Sequence, residues 1–362
     1  MKNGRNEIKV RLRGLNFGGW LSQIDAIAEK DPSTFPGVDA HMERFITRED
    51  FLCQEMWGFN HVRLPIDAHH FFTEDDRPLE PRLAFIDGAV KWAEAAGLHL
   101  ILDLHECPGH DFAEATAVPV QKLFVDSAFI RRTEKIWASL AERYSKLPNV
   151  LFEVLNEPVA PDAAAWNRVK DALCRTVRRH APKSPIVVGS NMWNWPSAYR
   201  EMTPVDIDNV IYTFHFYEPL LFTHQNAPWI HEPEIRGMRS YPADYGRGFT
   251  RKYGFVHSTG VWNRDRFVEE ITPVVRFGRK YGATVICDEF GVYAPVPVEL
   301  QLAWLDDLLS VLRELDVGFT YWNYKNLDFG IVSRGETLHE NLPQYNNTER
   351  INYRVLEMLQ RY

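Results

Sequence analysis

Positive charge is in deficit along this chain: 41 Lys and Arg stand against 49 Asp and Glu, for a net charge of −8. Without a basic surplus there is no stripe to displace counterions from a phosphate backbone, so nucleic acid is not an expected partner. Long apolar runs are also missing. None approaches the roughly 20 residues that cross a bilayer, so no membrane association is expected. The opening stretch, Met1 to Val10, is polar and lacks the apolar segment of a secretory leader. As read, the chain is expected to be cytoplasmic, and secreted or periplasmic only if a leader was removed. Cysteine is sparse: Cys53, Cys107, Cys174 and Cys287 form no CxxC pair, share no metal-like spacing with histidine, and read as small buried hydrophobes. His69 and His70 are adjacent but lack a carboxylate at metal spacing, so neither a zinc site nor any cofactor is expected. No glycine-rich phosphate loop follows the first strand, because Gly14-Leu-Asn-Phe-Gly-Gly19 has the wrong spacing.

What is present is a composition of 45% hydrophobic and 25% charged residues, that of a globular protein with a large core. Short apolar runs at 10–16, 61–66, 98–105, 150–156, 185–191, 210–215, 284–289 and 318–323 read as buried parallel strands. Between them, 81–96, 127–145, 163–180, 264–281 and 299–314 carry apolar residues at helical spacing. No repeat or linker breaks the alternation. The fold class expected is therefore α/β, a single (β/α)8 TIM barrel forming one domain over 1–362. Two connections are long, 17–47 after strand one and 217–263 after strand six. The second is dense in rings, including Phe222, His224, Trp229, His231, Tyr241, Tyr245, Phe249, Tyr253, Phe255, His257 and Trp262. It reads either as a self-packed surface unit or as a wall that, with 17–47, closes one end of a cleft into a pocket. The 11 Trp and 14 Tyr exceed what a core needs and fit a surface that stacks on sugar rings.

An α/β barrel keeps its chemistry at the C-terminal ends of its strands. There the sequence offers Asn16, Arg63, His105, Asn156, Glu157, His215, Tyr217, Glu289 and Trp322, spread over seven strands. Glu157 and Glu289 each stand just past an apolar run, and the commonest use of two such acids is cleavage of a glycosidic bond. Trp193 and Trp195, after strand five, are placed to meet a sugar, and Glu106 and His110, after strand three, are candidates to line the cleft. Trp20 and Trp229, in the two long connections, join the candidate list. Asp288 is expected to point to the far side of its strand from Glu289.

Phe152-Glu-Val-Leu-Asn-Glu-Pro158, Ile286-Cys-Asp-Glu-Phe-Gly291, His61-Val-Arg-Leu-Pro65, Leu102-Asp-Leu-His105, His215-Phe-Tyr217 and Tyr321-Trp-Asn323 together resemble glycoside hydrolase family 5, the cellulase family of (β/α)8 barrels. The resemblance implies a retaining mechanism, with Glu289 as nucleophile and Glu157 as acid and base. It further implies that Arg63 and Tyr217 support Glu289, Asn156 meets the sugar's 2-hydroxyl, His105 and His215 flank the reactive sugar, and Trp322 lies beneath it. The partner implied is a β-glucan or β-linked oligosaccharide. Arg13-Gly-Leu-Asn-Phe-Gly-Gly-Trp20 looks like the variant of exo-glucanase branches, and so points to attack at chain ends. A β-mannosidase or other β-glycosidase of the family, a transglycosylase, and a non-catalytic carbohydrate-binding barrel are the alternatives.

Overall fold

A strand buried on both faces has no solvent side, and fits only between a barrel interior and a surrounding ring of helices. In the computed structural model, which describes residues 10–30, 32–111, 120–250, 256–332 and 350–362, the apolar runs form β1 (Arg13–Asn16), β2 (His61–Asp67), β3 (His99–Glu106), β4 (Val150–Glu153), β5 (Ile186–Gly189), β6 (Val210–Phe216), β7 (Thr284–Phe290) and β8 (Gly318–Tyr321). Each pairs in parallel with its chain neighbours. The sheet closes where β8 returns to β1, with Arg13 opposite Phe319 and Leu15 opposite Tyr321. This is the expected (β/α)8 barrel.

Alternation along the strands separates two cores. Outward residues such as Leu64, Leu102, Phe152, Val188, Phe214, Cys287 and Phe319 join the helices in one large cluster. Inward, Leu12, Ile101, Leu151, Val187, Ile211 and Ile286 form a separate apolar plug inside the barrel. The helices begin where side chains satisfy their free N–H groups. Asp126 accepts from the amide of Ala128 at 2.8 Å ahead of Ser127–Tyr144, and Asp162 from that of Ala165 at 2.7 Å ahead of Ala163–His180. The latter helix ends in Arg178, Arg179 and His180, against the negative end of its dipole.

Three strands stop short of the expected ends at 156, 191 and 323. After Glu153 the chain leaves the sheet, and Val154 and Leu155 both enter the outer core, which a strand's alternation does not allow. The long connections also hold elements that periodicity did not reveal. Segment 17–47 contains helices Ile24–Lys30 and Val38–Phe45. Segment 217–263 contains helix Leu220–Thr223 and two short antiparallel ladders, Val261–Trp262 with Ala243–Asp244 and Phe249–Thr250 with Val256–His257. It packs a small core of its own from Leu220, Leu221, Ala227, Ile230, Ile235 and Phe249; Tyr253 and Phe255 lie outside the described residues. Among the described residues, no helix is long and apolar enough to cross a membrane.

Much of the tryptophan serves the core rather than a sugar-binding surface. Trp20, Trp137, Trp166 and Trp304 are fully buried, and their indole N–H groups donate to the carbonyls of Met42, Val154, Gly189 and Glu218. Composition overstated the sugar surface because a barrel of this size needs large side chains between sheet and helices.

Candidate active site

Above the apolar plug, the inward positions of the strands become polar, and Arg63 on β2 gathers them. Its Nε and Nη2 donate to the two carboxylate oxygens of Glu153, both at 2.7 Å. Nη1 donates to Glu289 at 2.7 Å and to Asn16 at 3.0 Å, while Nη2 also donates to Asn156 at 2.8 Å and lies 3.1 Å from Asp103. One guanidinium thus joins groups from β1, β3, β4 and β7 to β2. Burial opposes its charge, but Asp103, Glu153 and Glu289 hold its pKa well above the ordinary value.

At the mouth, Glu157 and Glu289 converge: one oxygen of each, with a ring nitrogen of His215, falls within a 4.8 Å group. The two acids keep different company. Glu289 accepts from Arg63 and, at 3.1 Å, from the Tyr217 hydroxyl. Glu157 is not among the partners of Arg63; burial pushes its pKa up, and its contact with His215, whose Nδ1 lies 2.6 Å from Oε1, only partly opposes this. His215 spans the site, with Nδ1 also 3.4 Å from Glu289 and Nε2 3.2 Å from Asp288. Burial would lower its pKa, but Glu289, Asp288 and Glu157 raise it well above the usual histidine value.

Asp288 does not turn away from the site. A register shift between Cys287 and Glu289 in the pairing with β6 places a bulge there, so both carboxylates face the interior. Asn16 bonds the bulge directly, donating from Nδ2 to the Asp288 carbonyl at 2.9 Å.

His105 donates to Asp103 at 2.8 Å and lies parallel to Trp322, with ring centroids 5.8 Å apart and planes 6° from parallel. Trp322 is held from another side by Gly18, where an added Cβ would come within 2.5 Å of the indole. The other two residues of Gly18-Gly19-Trp20 are equally structural: Gly19 has φ of 81°, and Trp20 packs on Phe51 and Trp92 with no exposure. Trp20 is therefore removed from the list of sugar-contacting candidates. His110 is buried rather than on a loop surface, and its Nε2 donates to the Glu157 carbonyl at 3.1 Å. It holds the acid's backbone instead of lining the cleft. Glu106 is half-buried at the end of β3, in register with Asp67.

The loop carrying Glu157 is latched to the turn after β5. Asn191 accepts from the amide of Ala160 at 2.8 Å and donates to its carbonyl at 3.1 Å, and the Trp193 amide donates to the Pro158 carbonyl at 3.2 Å. Met192, Trp193 and Asn194 all have positive φ, at 61°, 56° and 58°, a left-handed turn that is costly for side-chain-bearing residues. Trp193 and Trp195 are half-buried there, the latter edge-on to His257. Trp229 is 41% exposed and stands in a ring cluster with His224, Phe329 and Tyr293 that reaches Tyr217. Asp103, Glu153 and Asn191 were not singled out from the sequence. The first two carried a signal, a carboxylate at an inward alternate position of a buried strand, but Asn191 carried none.

Residues 26–328 match the family Cellulase (glycosyl hydrolase family 5). The chain belongs to glycosyl hydrolase family 5. It is thus a glycoside hydrolase by family, and its relatives align over most of its length. Endoglucanase C of Acetivibrio thermocellus is 32% identical over 332 residues, covering 88% of this chain and 93% of that protein. Cellodextrinase A of Ruminococcus flavefaciens is 31% identical over 308 residues, covering 84% and 82%. Among solved structures, an endoglucanase superposes with a TM-score of 0.74 at 20% identity, covering 97% of both chains. Thermotoga maritima Cel5A in complex with cellobiose superposes with a TM-score of 0.71 at 22% identity, covering 97% and 98%. At those identities the structural likeness speaks to the barrel alone.

Proposed function

We propose that this family 5 barrel is a retaining β-glucan hydrolase working by double displacement, with Glu289 as nucleophile and Glu157 as acid and base. The observation that carries the reading is the closeness of the two acids, with oxygens inside 4.8 Å. An inverting enzyme needs carboxyl groups about 6.5–9.5 Å apart to admit a water between them. The different surroundings support the division of labour. Arg63 and Tyr217 suit Glu289 to attack as an anion, while burial suits Glu157 to hold a proton.

In the first step Glu289 attacks the anomeric carbon as Glu157 gives its proton to the departing glycosidic oxygen, leaving a glycosyl ester on Glu289. In the second, Glu157 takes a proton from water, the water oxygen attacks the same carbon, and Glu289 departs as the carboxylate. Asn156, with its oxygen engaged by Arg63 and its Nδ2 3.4 Å from His105 Nε2, retains one amide N–H for the 2-hydroxyl, and Trp322, braced by His105 and Gly18, offers its face to the sugar ring. Glucan as substrate is supported by the names of the curated relatives, an endoglucanase and a cellodextrinase. The test is proton NMR of early products from a panel of aryl β-glucosides, β-cellobiosides and β-mannosides. The β-anomer should appear first and the glucose series should lead. An α-anomer first would end the retaining assignment, and a lead by the mannosides would change the substrate.

The finer reading, attack at chain ends, now rests on the excursion after β6 alone, because Gly18-Gly19-Trp20 is accounted for by packing. Its rings at Trp229 and His224 meet the mouth through Tyr217. Digestion of a soluble β-glucan, followed by viscosity against reducing ends, decides it: a steep viscosity drop at low conversion means internal cleavage.

A further inference from the structure

We propose that Asp25, His69 and His70 form a binding site for a divalent cation of the zinc type on the rim of the barrel mouth. Sequence spacing set the histidine pair aside for want of a carboxylate, but the fold supplies one from the preceding connection. Oδ2 of Asp25 lies 2.8 Å from Nε2 of His69 and 3.9 Å from Nε2 of His70, and all three ligand atoms lie within 4.8 Å of one another. Zinc binds nitrogen and carboxylate oxygen at about 2.0–2.2 Å in a tetrahedron, which sets neighbouring ligand atoms roughly 3.3 Å apart. The two distances bracket that spacing, so small side-chain rotations suffice to close the site.

The second observation is His70 itself. It is only 5% exposed, and its Nε2 is a buried polar atom without a hydrogen-bond partner, directed at Asp25. A buried nitrogen left unbonded is costly, and a ligand that uses its lone pair removes the cost. The nearby Arg82 does not block the site, since its Nε is paired with Asp39 at 2.8 Å while Nη1 donates to the His70 carbonyl at 3.3 Å.

The donor set also selects the cation. Two imidazoles and one carboxylate favour zinc, copper or nickel over magnesium or calcium, which prefer all-oxygen shells. Three protein ligands leave one coordination position for water. The two segments are already joined: the Asp67 amide donates to the Leu21 carbonyl at 3.0 Å, and Asp67 accepts from the Gln23 amide at 2.5 Å. A bound ion would extend this seam to the outer rim and pin helix Ile24–Lys30 to the turn Ala68–His70.

The experiment uses the full chain, stripped with a chelator and titrated with zinc chloride by calorimetry, with thermal unfolding measured in parallel. One ion per chain and a Tm that rises with zinc concentration are expected. His69 and Asp25 have side chains 51% and 64% exposed, so His69→Ala and Asp25→Asn should fold normally by circular dichroism. Each should bind zinc on the order of ten-fold more weakly or worse. Absence of saturable binding in the parent would overturn the proposal, as would unchanged affinity in both variants. Glu157, His215 and Glu289 also lie within 4.8 Å of one another. Binding that survives His69→Ala and disappears in Glu289→Gln would assign the ion to those acids and overturn the rim site.

Discussion

At the scale of single residues, Glu157 and Glu289 differ by what surrounds them, and that difference is open to measurement. Glu289→Ala should lower turnover by at least about 10⁴-fold, and azide should restore it with an α-glycosyl azide as product, because the small anion fills the vacated face. Glu157→Ala should spare the first step for dinitrophenyl glycosides, whose leaving group needs little proton assistance, and cripple it for unactivated ones. Equal damage to both substrates in pre-steady-state kinetics would reverse the roles. The pH profile follows from the raised pKa of Glu157. A general acid works while protonated, so kcat/KM falls as pH rises through that value, and the alkaline limb should lie above the 4.5 of an ordinary glutamate. The contact with His215 lowers this pKa, so His215→Ala should move the limb to still higher pH in the activity that remains. Both acids were legible from sequence because each follows an apolar run. The latch at Asn191 was not, because it depends on a left-handed turn that no residue type announces.

At the scale of elements, Arg63 ties β2 to four other strands, and its removal strands several carboxyl groups in the barrel interior. Arg63→Leu should cost about 3–5 kcal/mol, read from the shift in urea midpoint. Arg63→Lys should not rescue it, because an ammonium cannot match the two-pronged contact with Glu153. A variant as stable as the parent would mean that the carboxyl groups simply take up protons. The strands were legible because both faces are buried, which makes each a continuous apolar run. The β7 bulge was not, because strict alternation puts Asp288 outside and only pairing with β6 shows the shifted register. The short ladders after β6 escaped for a related reason: two-residue strands are below the length at which periodicity exists.

At the scale of the molecule, the β1–β8 pairing leaves the barrel without an edge, and the single-domain reading makes a prediction about its unfolding. Tryptophan fluorescence and far-UV circular dichroism should report one coincident urea transition. Separate midpoints would divide the chain, with the small core after β6 the first candidate to melt alone. The barrel interior also concentrates ionisable groups. Five carboxyl groups, Asp103, Glu153, Glu157, Asp288 and Glu289, surround one guanidinium and the imidazoles of His105 and His215, all buried. With Glu289 as the nucleophile, the site favours a ligand that is already cationic where the sugar becomes cationic only at the top of the barrier. A glucose mimic with a protonated nitrogen at the anomeric position should therefore inhibit about 10²-fold or more strongly than glucose itself, and lose most of that advantage in Glu289→Gln. The pairing of two acids at the mouth of this barrel would thus also be the feature that makes basic iminosugars its inhibitors.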